Sequence, residues 1–317
     1  MQQLVEELLG GSRRALARLI SIVENSDPRK YAILKELYPH TGRAYVLGVT
    51  GAPGSGKSSL VDRLLQLARR DGLTAGVIAV DPTSPFSGGA ILGDRIRMQD
   101  HALDPGVFIR SMGTRGSLGG LSRAAGEAVQ VLDAFGKDLI LVETVGVGQS
   151  EIDIVKTADT TVVVLTPAGG DSVQTLKAGI MEIADIFVIN KADLPGAERT
   201  AAEVNGMLEM KGGYAWRPPV VATVSTRDQG IEALWQVLAD HRSYLEESGR
   251  LQAVRRERVR RELTEQVEHL VKSGVWDRIK TLAALENLLE DIARRRADPY
   301  STARKLLEKI NFPLAEE

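Results

Sequence analysis

The sequence predicts an α/β protein, with a mostly parallel sheet flanked by helices and a helical extension at either end. Seven short β-rich runs alternate with helical or glycine-rich segments between residues 44 and 225. Most of these runs are continuously apolar, as strands buried on both faces should be. Helices between the runs then imply parallel strands joined by right-handed crossovers. The runs are Ala44–Thr50, Thr74–Val80, Val107–Ile109, Leu139–Val142, Thr160–Leu165, Ile186–Ile189 and Val220–Val224.

Composition limits the functions open to the chain. Its 317 residues suffice for one large domain or two modest ones, and 43% of them are hydrophobic. A net charge of −2 provides no electrostatic footprint for nucleic acid. Cysteine is absent, which excludes disulfides, thiolate metal sites and cysteine nucleophiles. No apolar run reaches the roughly 18 residues of a membrane span. We therefore expect a cytoplasmic protein that binds neither membrane nor nucleic acid.

Three regions are predicted along the chain. Residues 1–43 have helical apolar spacing and form an N-terminal extension without evident chemistry. Residues 44–232 contain the predicted sheet. In residues 233–317 the frequencies of Arg, Glu and Leu rise and helical spacing of the apolar residues dominates. This predicts a C-terminal helical region through which the protein forms a homodimer. The run Arg255–Arg261 is most simply a solvated helix face; the alternative is a nucleic-acid-binding arm.

A glycine-rich loop, Gly51–Gly56, called the phosphate loop below, follows the first run and precedes a segment of helical spacing. Gly51, Gly56, Lys57 and Ser58 fill the pattern G-x-x-x-x-G-K-[ST], which is typical of a P-loop NTPase. Glycines let successive N–H groups curl around phosphates, Lys57 reaches the β- and γ-phosphates, and the Ser58 hydroxyl ligates Mg²⁺. The residues predicted to bind nucleotide here are Gly51, Ala52, Pro53, Gly54, Ser55, Gly56, Lys57, Ser58 and Ser59.

Two aspartates follow the second run. In open α/β sheets ligands lie beyond the carboxyl ends of the strands, and Asp81 falls at such an end. Asp94 closes the loop that follows. Carboxylates at these positions would hold Mg²⁺ or its waters. The alternatives are an Asx turn or helix cap for Asp81 and a helix N-cap for Asp94, and the residues alone leave both open.

A third motif follows the fourth run. Glu143 is followed three residues later by Gly146, the arrangement in which an acid orders Mg²⁺ and a glycine N–H senses the γ-phosphate. Most guanine-nucleotide switches carry Asp at the first position. The extra methylene of Glu143 suggests ligation through water or a different strand offset.

A fourth motif follows the sixth run and predicts guanine recognition. Asn190-Lys191-Ala192-Asp193 matches N-K-x-D, in which the aspartate accepts from guanine N1–H and N2–H₂, the lysine packs over the base and the asparagine ties the loop to the phosphate loop. Ser225 and Thr226 follow the seventh run, where a backbone N–H would meet guanine O6. In combination with the other motifs, this motif selects GTP over ATP.

Together these motifs resemble those of the methylmalonyl-CoA mutase-associated GTPases, formerly described as lysine/arginine/ornithine transport ATPases. The resemblance covers nearly the whole chain and rests on Gly51–Ser59, Asp81–Arg95, Glu143–Glu151, Asn190–Asp193 and Asp298-Pro299-Tyr300. It implies a SIMIBI-type G domain that dimerises and acts as a chaperone of an adenosylcobalamin-dependent acyl-CoA mutase, gating cofactor loading and protecting the mutase.

The resemblance also assigns roles to four side chains. In that family, the positions of Lys57, Asp81, Asp94 and Glu143 form the catalytic and Mg²⁺ set. The Ser58 hydroxyl is already predicted to ligate Mg²⁺ from the G-x-x-x-x-G-K-[ST] pattern. The sequence therefore predicts a Mg²⁺-dependent GTPase that serves a B12 mutase. The alternatives are a metallochaperone GTPase, against which the missing cysteine argues, and a kinase or transport ATPase.

Overall fold

The computed structural model of the chain describes residues 2–81, 101, 103–113, 123–144, 146, 153–167, 181–282 and 285–313. Asp94 lies outside the described residues. Asp81 is described only through its backbone, as the last residue of a strand.

Seven parallel strands form one sheet, in the order β3-β2-β4-β1-β5-β6-β7. The strands are β1 (Tyr45–Thr50), β2 (Ala75–Asp81), β3 (Val107–Gly113), β4 (Leu139–Glu143), β5 (Thr160–Leu165), β6 (Ile186–Asn190) and β7 (Val220–Thr223). All seven correspond to the predicted runs, and every pairing is parallel. The predicted fold class is thereby confirmed.

Strand β3 is longer than the sequence predicts. The apolar run ends at Ile109, but pairing with β2 continues through Gly113. The charged residue Arg110 lies inside the strand. Its guanidinium donates to Ser21 Oγ at 3.2 Å and to Glu24 Oε2 at 2.5 Å, and these contacts accommodate a charged residue in the strand.

Both faces of the sheet are covered by helices, which explains the continuously apolar runs. The helices packed around the sheet are α1 (Gln2–Leu9), α2 (Arg13–Glu24), α3 (Lys30–Leu37), α4 (Lys57–Arg70), α5 (Arg123–Ala134), α6 (Met181–Ile183), α7 (Ala197–Lys211) and α8 (Ile231–Glu247). Side chains of α1, α2, α3 and α5 share one core with alternate residues of β1, β2, β3 and β4. Helices α4 and α8 share a second core with the intervening residues, and α7 shares a third with β5 and β6.

The N-terminal helices are also tied to the sheet domain by a buried ion pair. Lys30 Nζ of α3 donates to both carboxylate oxygens of Glu127 on α5, each at 2.8 Å, and both side chains are buried. A buried charge needs such a partner because its desolvation is otherwise costly. The extension is therefore packed onto the sheet domain.

The chain divides into two compact units, Met1–Gln252 and Ala253–Glu317. Helix α9 (Arg250–Lys280) begins in the first; α10 (Leu285–Ala293) and α11 (Pro299–Lys309) lie in the second, around Ile279, Leu306 and Ile310. Most of α8 was assigned to the C-terminal region from sequence, yet α8 belongs to the first unit. The three-region organisation itself stays a prediction. Among the described helices, none is both long enough and apolar enough to span a bilayer.

Candidate functional site

The candidate site forms at the edge of the sheet where the parallel strands end. Strand β1 lies between β4 and β5, with Val49 level with Glu143 and Thr50 level with Val163. The chain that leaves β1 therefore turns beside the last residue of β4. Parallel strands bring their carboxyl ends to one edge, and the predicted motifs after β1, β4 and β6 lie at that edge.

Only glycine fits the two ends of the phosphate loop. Gly51 has φ +135°, and a Cβ there would lie 2.1 Å from Val164 O. Gly56 has φ +89° and immediately precedes α4, where a Cβ would lie 2.3 Å from Asn190 Nδ2. No side chain caps the N-terminus of α4 at Gly56. The N-terminus of a helix favours an anion, both through its first N–H groups and through the helix dipole.

Lys57 is the first residue of α4 and its side chain is buried over the loop. Its ammonium donates to Gly51 O at 2.8 Å and to Ala52 O at 3.1 Å. Carbonyl oxygens hold the charge within the curl of the loop. This is the position from which a lysine contacts the β- and γ-phosphates in P-loop proteins.

Ser58 and Glu143 are in direct contact. The Ser58 hydroxyl donates to Glu143 Oε1 at 2.6 Å, and both residues are buried. The chain after β4 is held back onto β1, since Thr144 N donates to Val49 O at 3.1 Å and Thr144 Oγ1 to Thr50 Oγ1 at 2.9 Å. A hydroxyl oxygen and a carboxylate oxygen thus converge at the start of α4, and both are ligands that Mg²⁺ accepts.

Gly146 packs directly against the phosphate loop. It has φ +87°, and a Cβ there would lie 2.2 Å from Gly51 O and 2.6 Å from Lys57 Nζ. Backbone therefore approaches backbone at a distance that no side chain allows. The structure brings the predicted γ-phosphate-sensing glycine to the lysine that is predicted to contact the same phosphate.

Asn190 joins the phosphate loop to the turn after β7. Its Nδ2 donates to Ser55 O at 2.8 Å. Its Oδ1 accepts from Ser225 N at 3.2 Å, from Ser225 Oγ at 2.8 Å and from Thr223 Oγ1 at 3.1 Å. Asn190, Ser225 and Thr223 are all buried. One amide therefore fixes the spacing between the two halves of the candidate site, as the N-K-x-D motif predicts.

The remaining predicted guanine-binding residues lie on the exposed side of this network. Lys191 adopts a left-handed backbone with φ +57°, and Lys191, Asp193 and Thr226 are exposed. The Asp193 carboxylate forms an ion pair with Arg227 at 3.4 Å. An exposed carboxylate beside a buried amide network leaves room for a base to reach Asp193.

Two arginines at the site belong to no motif. Arg227 contacts Asp193, and Arg63 of α4 donates through Nε to Ser225 O at 3.1 Å. Sequence reasoning missed both residues because neither has a spacing signal; only the fold brings α4 beside the turn after β7. Of the predicted metal ligands, Ser58 and Glu143 are in contact, the Asp81 backbone lies two residues beyond the level of Glu143 in the register, and Asp94 lies outside the described residues.

Comparison with known families identifies a match over most of the chain. Residues 16–280 match the model of a family described as "Methylmalonyl Co-A mutase-associated GTPase MeaB". The matched span includes the phosphate loop, Glu143 and Gly146, the N-K-x-D segment and all seven strands.

Individual proteins are similar over nearly the whole chain. A relative from Pyrococcus abyssi is 53% identical over 314 residues, covering 98% of this chain and 97% of the relative. The mouse protein named methylmalonic aciduria type A homolog, mitochondrial, is 34% identical, covering 92% of this chain and 70% of that protein. A crystal structure titled LAO/AO transport system kinase has a TM-score of 0.72 at 29% identity, covering 98% of this chain and 97% of that one.

The contact between Gly146 and the phosphate loop generates a prediction. Gly146→Ala should lower kcat/KM for GTP by about 10- to 100-fold, because the added methyl group would displace Gly51 or Lys57 and a left-handed alanine costs about 1–3 kcal/mol. The measurement is steady-state phosphate release. Gly126→Ala is the matched control, because a Cβ at Gly126 of α5 meets nothing within 4 Å. Equal activity of the two variants would contradict a role for this close approach.

Proposed function

The chain belongs to the methylmalonyl Co-A mutase-associated GTPase family and is a GTP hydrolase, and we propose that it is a Mg²⁺-dependent switch that serves an adenosylcobalamin-dependent acyl-CoA mutase. In this proposal the GTPase acts as a chaperone that gates cofactor loading and protects the mutase. The observation that carries the partner is the family match over residues 16–280. The same match favours this role over a metallochaperone or a transport ATPase.

The proposed hydrolysis relies on positioning and charge. Water attacks the γ-phosphorus in line, the bond to the β–γ bridging oxygen breaks, and GDP and phosphate leave. The N–H groups of the phosphate loop and of the first turn of α4 hold the phosphate oxygens, and Lys57 neutralises charge that develops on them. The Gly146 N–H senses the γ-phosphate, and the contact of Gly146 with Lys57 supports this role. Because no side chain is assigned as a base, we expect slow intrinsic turnover.

The residues at the start of α4 fit Mg²⁺ in kind. Ser58 and Glu143 contribute a hydroxyl and a carboxylate whose oxygens are 2.6 Å apart in a buried setting. Magnesium prefers oxygen ligands, commonly one or two carboxylates together with substrate phosphates. We propose that Ser58 and Glu143, together with Asp81 and Asp94, hold the ion or its waters. When bound, Mg²⁺ would neutralise charge on the β- and γ-phosphates.

This proposal predicts a specific change in metal dependence. Glu143→Gln should raise the Mg²⁺ concentration that gives half-maximal GTP hydrolysis by about tenfold or more, since one anionic ligand is lost. The measurement is phosphate release during a Mg²⁺ titration. Glu198→Gln, an exposed change on α7, should leave the midpoint unchanged. An unchanged midpoint for Glu143→Gln would argue against the assigned metal site.

Guanine selection is proposed to depend on Asp193. Asp193→Asn should lower kcat/KM for GTP by about 100-fold, because hydrogen bonds to a charged acceptor contribute about 1.5–3 kcal/mol each. The same variant should gain activity with xanthosine triphosphate, whose O2 accepts from an amide. Wild-type protein should prefer GTP to ATP strongly. Asp240→Asn on α8 serves as the control, and equal hydrolysis of GTP and ATP by the wild type would refute guanine selection.

A homodimer through the C-terminal helices is proposed from an apolar stripe on α9. Val259, Leu263, Val267 and Leu270 recur at helical spacing and are 46–63% exposed. Such a row on one helix face is typical of an interface. In a homodimer with two-fold symmetry, the stripe would pack against its own copy.

The double variant Leu263→Glu/Leu270→Glu should therefore convert the dimer to a monomer, because it introduces four unpaired charges into a two-fold interface. Size-exclusion chromatography with light scattering measures the mass. Glu268→Ala lies on the opposite face of α9 and should leave the dimer intact. A dimer that survives the double variant would exclude this stripe as the interface.

The partner is tested directly with a purified methylmalonyl-CoA mutase. We expect the two proteins to co-elute and the mutase to raise the GTP turnover number at least about tenfold, because the isolated site lacks an assigned base. Mutase without cobalamin and mutase loaded with adenosylcobalamin are compared in parallel. Absence of both co-elution and stimulation would contradict the proposed role. Transfer of labelled γ-phosphate to a protein rather than to water would instead support a kinase.

A further inference from the structure

We propose that Arg63 of α4 is a positioning residue for guanine recognition, holding the turn Val224–Gln229 at a fixed distance from the phosphate-binding end of α4. This inference rests on the proposed guanine site. It adds a residue to which no motif assigns a role, and it explains how a phosphate-binding helix contributes to the choice of base.

Arg63 contacts the turn through two kinds of acceptor. It lies six residues after Lys57, roughly 9 Å along the helix axis. Its Nε donates to Ser225 O at 3.1 Å and lies 3.1 Å from Asp228 Oδ1. Its Nη1 donates to Gln66 Oε1 at 3.0 Å, one turn further along α4. With its side chain only 28% exposed, Arg63 is fixed at both the helix and the turn.

Ser225 is held from the other side by Asn190. The backbone N–H and the hydroxyl of Ser225 both donate to Asn190 Oδ1, while its carbonyl accepts from Arg63. Asn190 in turn donates to Ser55 O in the phosphate loop, which leads into α4. The contacts therefore form a closed ring. Among the described side-chain hydrogen bonds, that of Arg63 alone joins α4 to Ser225, so removing Arg63 opens the ring.

The turn itself is tight and reaches Asp193. Asp228 adopts a left-handed backbone with φ +56°, and Val224 N donates to Gln229 O at 2.9 Å across the turn. Aspartate is among the residues that tolerate this backbone, and the Arg63 guanidinium lies beside the Asp228 carboxylate. Arg227 lies within the turn and pairs with Asp193 at 3.4 Å. A shift of the turn would therefore change the surroundings of the carboxylate proposed to read guanine.

Arginine suits this role better than lysine. A planar guanidinium has five donors in a fixed geometry, so it can engage the Ser225 carbonyl, the Asp228 carboxylate and Gln66 together. A lysine ammonium offers a point charge on a flexible stem and keeps attraction to Asp228 with less directional control. Arg63→Lys should therefore restore part of what Arg63→Ala loses.

The test compares Arg63→Ala and Arg63→Lys with wild-type protein. For Arg63→Ala we expect KM for GTP to rise about tenfold, kcat at saturating GTP to stay within about twofold, and KM for ATP to stay unchanged, so that the GTP preference narrows. Arg63→Lys should be intermediate. Arg70→Ala is the matched control. It removes another arginine, at the far end of α4, whose partner is Glu232 of α8, and it should leave all three constants unchanged.

Asp228→Asn supplies a second route if Arg63→Ala fails to fold. Asparagine tolerates the left-handed backbone but lacks the charge, so KM for GTP should rise less than in Arg63→Ala and in the same direction. Unchanged KM for GTP in Arg63→Ala and Asp228→Asn would overturn the inference. Equal losses for GTP and ATP, or a loss in kcat, would also overturn it by showing a general structural role. Failure of wild-type protein to prefer GTP would count against the guanine site itself.

Discussion

The parallel register between β1 and β4 determines where the candidate site forms. Because Val49 lies level with Glu143, the phosphate loop leaves β1 beside the carboxylate, and the first turn of α4 brings the Ser58 hydroxyl into contact with it. A shift of one residue would turn Glu143 to the opposite face of the sheet. Cores on both faces oppose that shift, since each buries alternate residues of the same strands. Packing remote from the site thus determines its geometry.

Close contacts between backbone segments are the second feature that determines the geometry of the candidate site. At Gly51 and Gly146 the space that a Cβ would need is taken by carbonyl oxygens of neighbouring segments. In the proposed nucleotide site, such close approach would let loops after different strands act on one phosphate chain without long side chains between them. It also couples the loops sterically, so that a displacement of the chain at Gly146 would displace Gly51 and Lys57.

Local signals predicted most of the fold, and contacts between distant segments account for what they missed. The seven strands and the motif positions follow from apolar runs and short spacings, which are properties of neighbouring residues. The end of β3 was missed because Arg110 is charged, and its partners Ser21 and Glu24 lie far away in sequence. Arg63 was missed for the same reason: α4 meets the turn after β7 only in the folded sheet.

The single amide of Asn190 makes two parts of the candidate site depend on one residue. It holds Ser55 through its nitrogen and Ser225 through its oxygen, so a carboxylate at this position would face the Ser55 carbonyl with an acceptor instead of a donor. Substitution of this residue would therefore loosen the phosphate loop and the turn after β7 together. Asp193, by contrast, is exposed beyond the network. The residue proposed to read the base can therefore be substituted without disturbing the buried contacts of Asn190.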